Sequence, residues 1–183
     1  MYALIENNTA KKYPYTIAQL RMDNPDTSFS NNPNAETLAK YGVANVVATA
    51  RPEYDSFQYK LLEESPEFID NIWQQRWTLV ELTAAERAQR LESLKSDIVD
   101  QVQHRLDSFA RTRNYDGIMS ACTYATDLVE KFRAEGQYCV QARGATWSKI
   151  YSILNDVDAG NRPIPAGYEE IESELPELVW PNQ

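Results

Sequence analysis

One histidine, two cysteines and two dense carboxylate runs are the residues of this 183-residue chain whose types suit catalysis or metal binding. His104 stands alone, so no histidine-rich metal site can form around it. It also falls off the apolar stripe of the helix that carries it, where a solvated or interfacial imidazole is expected. Cys122 and Cys139 invite a metal or redox reading. A helical turn at Gly136 would separate them, with Cys122 about 21 Å and Cys139 about 5 Å from the turn at about 1.5 Å per residue. A disulfide needs Cα atoms within about 7 Å, so small core thiols are the better reading. Glu63, Glu64 and Glu67 form one acidic run, and Glu169, Glu170, Glu172, Glu174 and Glu177 form another. Neither has the regular ligand spacing of a calcium loop. A pair of carboxylates acting on a glycosidic bond needs a rigid cleft about 5–10 Å wide, whereas these crowd expected loops, tails and helix surfaces. Glycine-rich phosphate loops, nucleophile elbows and zinc-protease helices are missing from the sequence. No catalytic residue, cofactor or metal is expected.

Composition points the same way. Hydrophobic residues make up 43% and aromatics 11%, a globular balance with enough length for a sizeable core. Net charge is −9, spread as 11 acidic and 7 basic residues up to Leu82 and 16 and 11 beyond it. An acidic surface repels phosphate, so nucleic acid is not an expected partner. No apolar run approaches the roughly 20 residues that span a bilayer, and the start MYALIENNT lacks a signal peptide's basic and apolar regions. With no disulfide framework, the expectation is a soluble chain folding in a reducing cytoplasm.

The elements that must position any site divide near residue 82. Before it the pattern is short and mixed. Tyr2 and Leu4 alternate as a brief strand, Glu6 to Thr9 reads as a turn because Asn tolerates positive φ, and Lys11 to Tyr15 returns antiparallel. Pro14 must then lie at a strand end or on an edge. Thr16 caps a short helix carrying Ile17 and Leu20 inward, which Asn24 and Pro25 stop. A second helix, capped by Asn34 and closed by Gly42, carries Leu38 and Tyr41. Strands are predicted at 43–50, 57–62 and 72–82, the last with Trp73, Gln75, Trp77 and Leu79 on one face. EESPEFIDN, with Pro66, is predicted as an acidic loop between the last two. Residues 1–82 are thus expected to form a small α+β module of three to five short strands.

After residue 82 the period changes to that of helices. Thr83 and Glu86 have capping-box spacing, and Ala88, Leu91, Leu94, Ile98, Val102, Leu106 and Phe109 mark an amphipathic helix of about 28 residues. Asn114 or Asp116 caps a second helix carrying Ile118, Cys122, Ala125, Val129 and Phe132, closing near Gly136. A third carries Val140, Trp147, Ile150, Tyr151, Leu154 and Val157 and ends at Gly160 ahead of Pro163. An acidic segment follows, docking through Ile171, Leu175, Leu178 and Trp180. The expected architecture for 83–183 is a three-helix antiparallel bundle with a C-terminal acidic strap, so the fold class is α+β.

Three stretches carry a resemblance. MYALIENNTAKKYPYTIAQLRMDNPDTSF with the ETLAKYGV helix resembles the N-terminal segment of small tail proteins of tailed bacteriophages and prophages. RLDSFARTRNYDGIMSACTYATD, KFRAEGQYCVQARGATWSKIYSIL and DAGNRPIPAGYEEIESELPELVWP are similar to the helical region of the same proteins. The resemblance covers nearly the whole chain, and its motifs carry no catalytic role. It implies a virion protein of the baseplate and tail-fibre region, made in the host cytoplasm and present in several copies per particle. Such a protein would be a non-enzymatic adaptor joining baseplate or tail to fibre through protein–protein contacts. The alternatives are a tail-fibre assembly chaperone that leaves the mature particle and, more remotely, an enzyme acting on host-surface glycan. No membrane or nucleic-acid partner is implied. Tyr and Trp are the usual anchors of protein interfaces, so for the adaptor the contact candidates are Tyr13, Tyr15, Arg21, Trp73 and Trp77 in the first module. In the second they are Tyr115, Tyr168 and Trp180. Ordinary packing is the alternative for each, and for Trp77 the preferred one.

Overall fold

Asn7 and Asn8 hold φ of 50° and 60°, the left-handed pair that a two-residue hairpin turn needs and that Asn adopts more readily than most residues. They join β1 (Tyr2–Glu6) to β2 (Thr9–Tyr15) antiparallel, as expected. The computed structural model describes residues 1–181, and the chain divides into two compact units, Met1–Arg87 and the residues from Ala88 onward.

In the first unit, Thr16 opens α1 (Ile17–Asp23) with a full capping box. Its hydroxyl accepts from the Gln19 N–H at 3.2 Å, and Gln19 Oε1 accepts from the Thr16 N–H at 2.7 Å. Asn34 Oδ1 caps α2 (Ala35–Lys40) by accepting from the Thr37 N–H at 2.8 Å. Gly42, at φ +68°, ends it. A Cβ there would stand 3.0 Å from the Ile5 carbonyl oxygen, so glycine is needed both for the turn and for this approach. β3 (Val43–Val47), β4 (Tyr59–Ile69) and β5 (Ile72–Glu81) complete a five-stranded sheet of order β2-β1-β3-β5-β4, antiparallel except where β3 runs beside β5.

The segment EESPEFIDN is a correction to the expected loop. Most of it continues β4, and only Asp70 and Asn71, both left-handed (φ 50° and 63°), make the reversal into β5. Pro66 survives inside the strand because β4 is an edge and its pairing with β5 shifts register between Glu64 and Glu67. A bulge on an edge needs no N–H from proline. Pro14 likewise lies on an edge strand, β2.

Side chains alternate across this sheet. Tyr2, Leu4 and Val43 pack with Tyr15, Leu20, Phe29 and Leu38 under the two helices. Ala3, Ile5, Ala10, Ala44 and Val46 turn the other way onto Trp73. Alanines opposite a tryptophan are what a strongly curled sheet accommodates. The curl brings the two edge strands together, where the Tyr13 hydroxyl of β2 donates to Glu63 of β4.

The second unit rests on α3 (Ala84–Arg111), whose N-terminal turn lies in the first unit, and α5 (Glu130–Asp158). The Thr83 and Glu86 capping box forms as read, with Thr83 Oγ1 accepting from the Glu86 N–H at 3.2 Å and Glu86 Oε2 from the Thr83 N–H at 2.9 Å. α3 and α5 run antiparallel: Lys95 reaches Asp158 at 2.7 Å near one end, and Arg113, just past α3, pairs with Glu135 near the other. Ile98, Val102, Leu106 and Ala110 of α3 meet Cys139, Ile150 and Ile153 of α5, with Ile171 and Leu175 of the C-terminal segment closing the same core.

Between the long helices the expectation of a second helix reaching Gly136 does not hold. α4 (Ile118–Cys122) is one turn, prolonged by a 3₁₀ turn at Thr123–Thr126. Its cap is neither Asn114 nor Asp116 but Asp107 of α3, whose Oδ1 accepts from the Ile118 N–H at 2.8 Å. Gly136 lies inside α5, where a Cβ would sit 2.4 Å from the Ala125 nitrogen and 2.5 Å from the Tyr124 carbonyl carbon. Its role is close backbone approach and not a turn. Three consequences follow. Val129 and Phe132 stand at the start of α5 and are exposed, and the buried stripe runs through Cys139, Ala142, Thr146, Ile150, Ile153 and Val157, leaving Val140 and Tyr151 outside it. The turn that was to keep the cysteines apart is absent. Both thiols nonetheless remain free and belong to the core, with Cys139 fully buried.

Gly136→Ala is expected to destabilise the chain by about 1–3 kcal/mol, because the obstructing atoms are backbone and cannot rotate away. Gly144 has nothing within 4 Å of its would-be Cβ. Gly144→Ala should therefore stabilise by about 0.5–1 kcal/mol through helix propensity alone. Urea denaturation of the two variants, followed by circular dichroism, checks both signs.

Candidate functional site

The sheet edges are held by a polar chain. Glu63 accepts from the Tyr13 hydroxyl and from Gln75 Nε2 at 2.6 Å, while Thr49 Oγ1 donates to the Gln75 carbonyl at 2.9 Å. Burial, then the bond to Glu63, pushes the Tyr13 hydroxyl up from 10.0 to about 12. The same bond holds the Glu63 carboxyl below the usual range. Tyr15 is buried, and its hydroxyl donates to Asp23 at 2.8 Å beside Lys12, also 2.8 Å away. Burial first and Asp23 second raise it to about 12. Arg21 is committed to its own loop, donating to the Phe29 and Ser30 carbonyls at 3.1 and 3.0 Å and to Asn31 Oδ1 at 2.8 Å. Trp73 is buried against Phe68, with ring centroids 5.3 Å apart. Trp77 is half-buried under the Arg51 guanidinium, 5.0 Å from its ring.

The second unit repeats the theme. Glu135 is 3% exposed and accepts from the Tyr115 hydroxyl at 2.7 Å and from Arg113. Burial pushes its carboxyl up, but the bonds from Tyr115 and Arg113 outweigh this and hold it below the ordinary value. Burial and the same carboxylate raise the Tyr115 hydroxyl. Trp180 stacks on Phe109 at 4.3 Å and 16°, donates Nε1–H to Thr112 Oγ1 at 2.8 Å and carries the Arg113 guanidinium 4.9 Å from its ring. Tyr168 packs half-buried on the core, its hydroxyl 3.4 Å from Glu172.

All eight predicted contact residues are therefore engaged within their own unit. Tyr13 joins the Trp73 cluster, Tyr15 and Arg21 sit together around α1, and Tyr115 and Trp180 meet at the end of α3. The acidic runs are partly engaged too. Glu67 pairs with Arg76, and Glu174 lies 2.9 Å from Arg162 and 3.3 Å from Lys149. His104 is exposed. Among the described residues, no group of three or more His, Cys, Asp or Glu is placed to hold a metal ion. Burial raises both thiols, Cys139 to about 12, and so disfavours their thiolate forms. No helix among them is long and apolar enough to cross a membrane.

Much of what the structure leaves open to contact is aliphatic, with a few aromatic rings beside it. Leu62, Phe68, Ile69 and Ile72 stand exposed along β4 and around the Asp70–Asn71 reversal, with Val47 and Leu79 exposed on neighbouring strands. In the second unit Met119, Tyr124, Leu128, Val129 and Phe132 are exposed around the break between α4 and α5. A hollow of about 590 Å³ adjoins them, lined by Tyr115, Tyr124, Lys131, Phe132, Arg113 and Glu135 among others. A rule that ranks aromatics as anchors overlooks these residues. The sequence signal that marks them is an apolar residue directly flanking a turn, as in Ile69-Asp70-Asn71-Ile72 and Asp127-Leu128-Val129.

Compared with protein-family models, curated proteins and solved structures, the chain matches none of them.

The buried pair and the two edge tyrosines make separate predictions. Glu135→Gln leaves Arg113 without its charge partner and should cost about 2 kcal/mol in chemical denaturation, as for other charged hydrogen bonds. Tyr13 and Tyr15 titrate near 12 when folded and near 10.0 when not. A raised native pKa contributes stability that is complete below pH ~10 and lost as pH climbs to ~12. The urea midpoint should accordingly fall between pH 9 and pH 11, and Tyr13→Phe with Tyr15→Phe should flatten that fall.

Proposed function

We propose that this chain is a non-enzymatic structural component of a phage tail, an adaptor that links baseplate or tail to fibre by protein–protein contacts. In this reading it is made in the host cytoplasm, incorporated in several copies and found in the virion. The observation that carries the proposal is the exposed apolar face of the β4–β5 hairpin, Leu62, Ile69 and Ile72, with Phe68 exposed on the opposite face, on a unit stiffened by cross-linked sheet edges. Rigid elements presenting an apolar patch are what recognition between folded subunits uses. Residues 53–81 carry seven acidic and two basic side chains, so the complementary partner is a basic, apolar surface on another tail protein. The helical part then acts as a bundle of α3, α4 and α5 clamped by the acidic C-terminal strap. Ile171 and Leu175 anchor that strap and Trp180 covers the end of α3. The resemblance of both halves to small tail proteins supports the same reading. Engagement of Glu63, Glu135, Tyr13, Tyr15 and Tyr115 in structural bonds, with both thiols raised by burial, supports a contact role.

The exposed hairpin also suits the second reading, a fibre-assembly chaperone, since such a protein needs open apolar surface for its client. Occupancy of the particle separates the two. Quantitative mass spectrometry of purified, salt-washed particles, scaled to the major tail proteins, is expected to find a fixed stoichiometric copy number. Absence from particles with abundance in the lysate would favour the chaperone. Within the adaptor reading, Ile72→Lys should lower incorporation by about tenfold, as loss of a central interface residue does, while leaving the folded chain's circular dichroism unchanged.

A further inference from the structure

We infer that the open edge of β5 pairs with its counterpart in a second copy of this chain, joining the two sheets into one across a two-fold axis. The inference does not rest on the tail reading. Within a strand the N–H and C=O of one residue point to the same side, and successive residues alternate. The Leu82 N–H donates to the Gln58 carbonyl at 2.8 Å, so the even-numbered residues of β5 bond toward β4. The Gln75 carbonyl accepts from Thr49 Oγ1 at 2.9 Å, which puts the odd-numbered residues on the other side. β3 pairs on that side only with Trp73 and Gln74. The N–H and C=O of Trp77, Leu79 and Glu81 therefore point away from the sheet, and no hydrogen bond reaches them among the described residues. Exposed edges normally carry devices that block further pairing. β2 has Lys11, Lys12 and Pro14, and β4 has Pro66 and a shift of register. From Gln74 to Leu82 there is no proline, glycine or lysine, and the pairing with β4 from Arg76 to Glu81 is regular.

Unpaired backbone groups on an edge call for an extended strand, and the length and sequence of this edge select β5 of a second copy. Laid antiparallel and centred on Leu79, that strand sets Trp77 against Glu81, Leu79 against Leu79, and Glu81 against Trp77. Every open N–H and C=O on both copies is then used. The second strand also stops where it must. Past Leu82, opposite Arg76, it turns away into its own α3, whereas a strand that ran on would meet β3. Side chains agree with this register. Leu79 is 42% exposed and lies beside Leu61 of β4, so pairing builds one leucine row from β4 of one copy to β4 of the other. Thr78 meets Val80, a β-branched pair that suits adjacent strands. Arg76 meets Leu82 and Glu81 meets Trp77, so no like charges are opposed. The contact uses the same edge on both copies and closes on itself as a dimer.

Sedimentation equilibrium on the purified full chain, over about 1–200 µM, is expected to find a monomer–dimer equilibrium. Leu79→Lys sets like charges directly opposite each other and should weaken the dimer about fivefold or more. Its circular dichroism should be unchanged, because the side chain is exposed. Disulfide trapping reads the register. Opposed residues of a hydrogen-bonded antiparallel pair have Cα atoms about 5.5 Å apart, within the range a disulfide bridges. Oxidation with copper phenanthroline should therefore link Leu79→Cys into a covalent dimer. Leu62→Cys, similarly exposed on β4, and the wild type, whose thiols belong to the core, should stay unlinked. A wild-type chain that remains monomeric across the range overturns the inference. So does a dimer that Leu79→Lys leaves unchanged, or one that Leu79→Cys fails to trap. The incorporation experiment on Ile72, at the far end of β5, is independent of these outcomes.

Discussion

Left-handed backbone at the chain's reversals is the constraint on which both units depend. Among the described residues seven hold it: Asn7, Asn8, Asp70, Asn71 and Asn114, with Gly42 and Gly160. Asn7 with Asn8 closes the first hairpin and Asp70 with Asn71 the second, the paired positive φ matching the twist of the strands they join. Asn114 ends α3, where the Tyr115 N–H reaches back to the Ala110 carbonyl at 3.4 Å and turns the chain toward α4. Gly42 and Gly160 end α2 and α5. With six glycines in the chain, asparagine and aspartate supply most of these positions, and their local hydrogen bonding lets them do so at modest strain.

Once the reversals are set, each unit is closed by a tyrosine donating to a carboxylate from a distant segment. Tyr13 and Glu63 join the two edges of the sheet, and Tyr115 and Glu135 join the end of α3 to the start of α5. In both cases a second donor, Gln75 or Arg113, shares the carboxylate, and at Glu135, which is buried, these bonds offset the loss of water. Such locks consume the aromatic and cationic residues that would otherwise mark an interface. Much of the exposed apolar surface falls instead to aliphatic residues beside the turns. That division explains how a chain with eleven tyrosines and four tryptophans presents much leucine, isoleucine and valine to its surroundings.

Much of the fold is legible residue by residue, and the boundary between legible and hidden has a physical cause. The Asn7–Asn8 turn, the Thr16, Asn34 and Thr83 caps, and the edge position of Pro14 follow from bonds made within a few residues, which local sequence encodes. So does α3, whose apolar spacing survives intact in Ile98, Val102 and Leu106. The strand through Pro66, by contrast, depends on β4 being an edge with a bulge, and a single sequence does not announce strand order. Gly136 misleads for the same reason. Glycine suits a helix end, but here it serves the approach of Tyr124 and Ala125 from another segment, and that mistake carried Val129, Phe132 and the thiol geometry with it. The contact surfaces were hidden most deeply, because exposure is what remains after every other residue has found its partner.

Local backbone preference and residue type already specify the α+β class, the change from short strands to long helices after Leu82, and most of the caps and turns. Only the tertiary structure decided that the sheet curls until Tyr13 meets Glu63, that Asp107 caps α4, that α5 runs through Gly136, and that Leu128 stands clear of every neighbour. Each of these turns on groups distant in sequence competing for the same space or the same hydrogen bond, and that competition is settled only when the chain is folded.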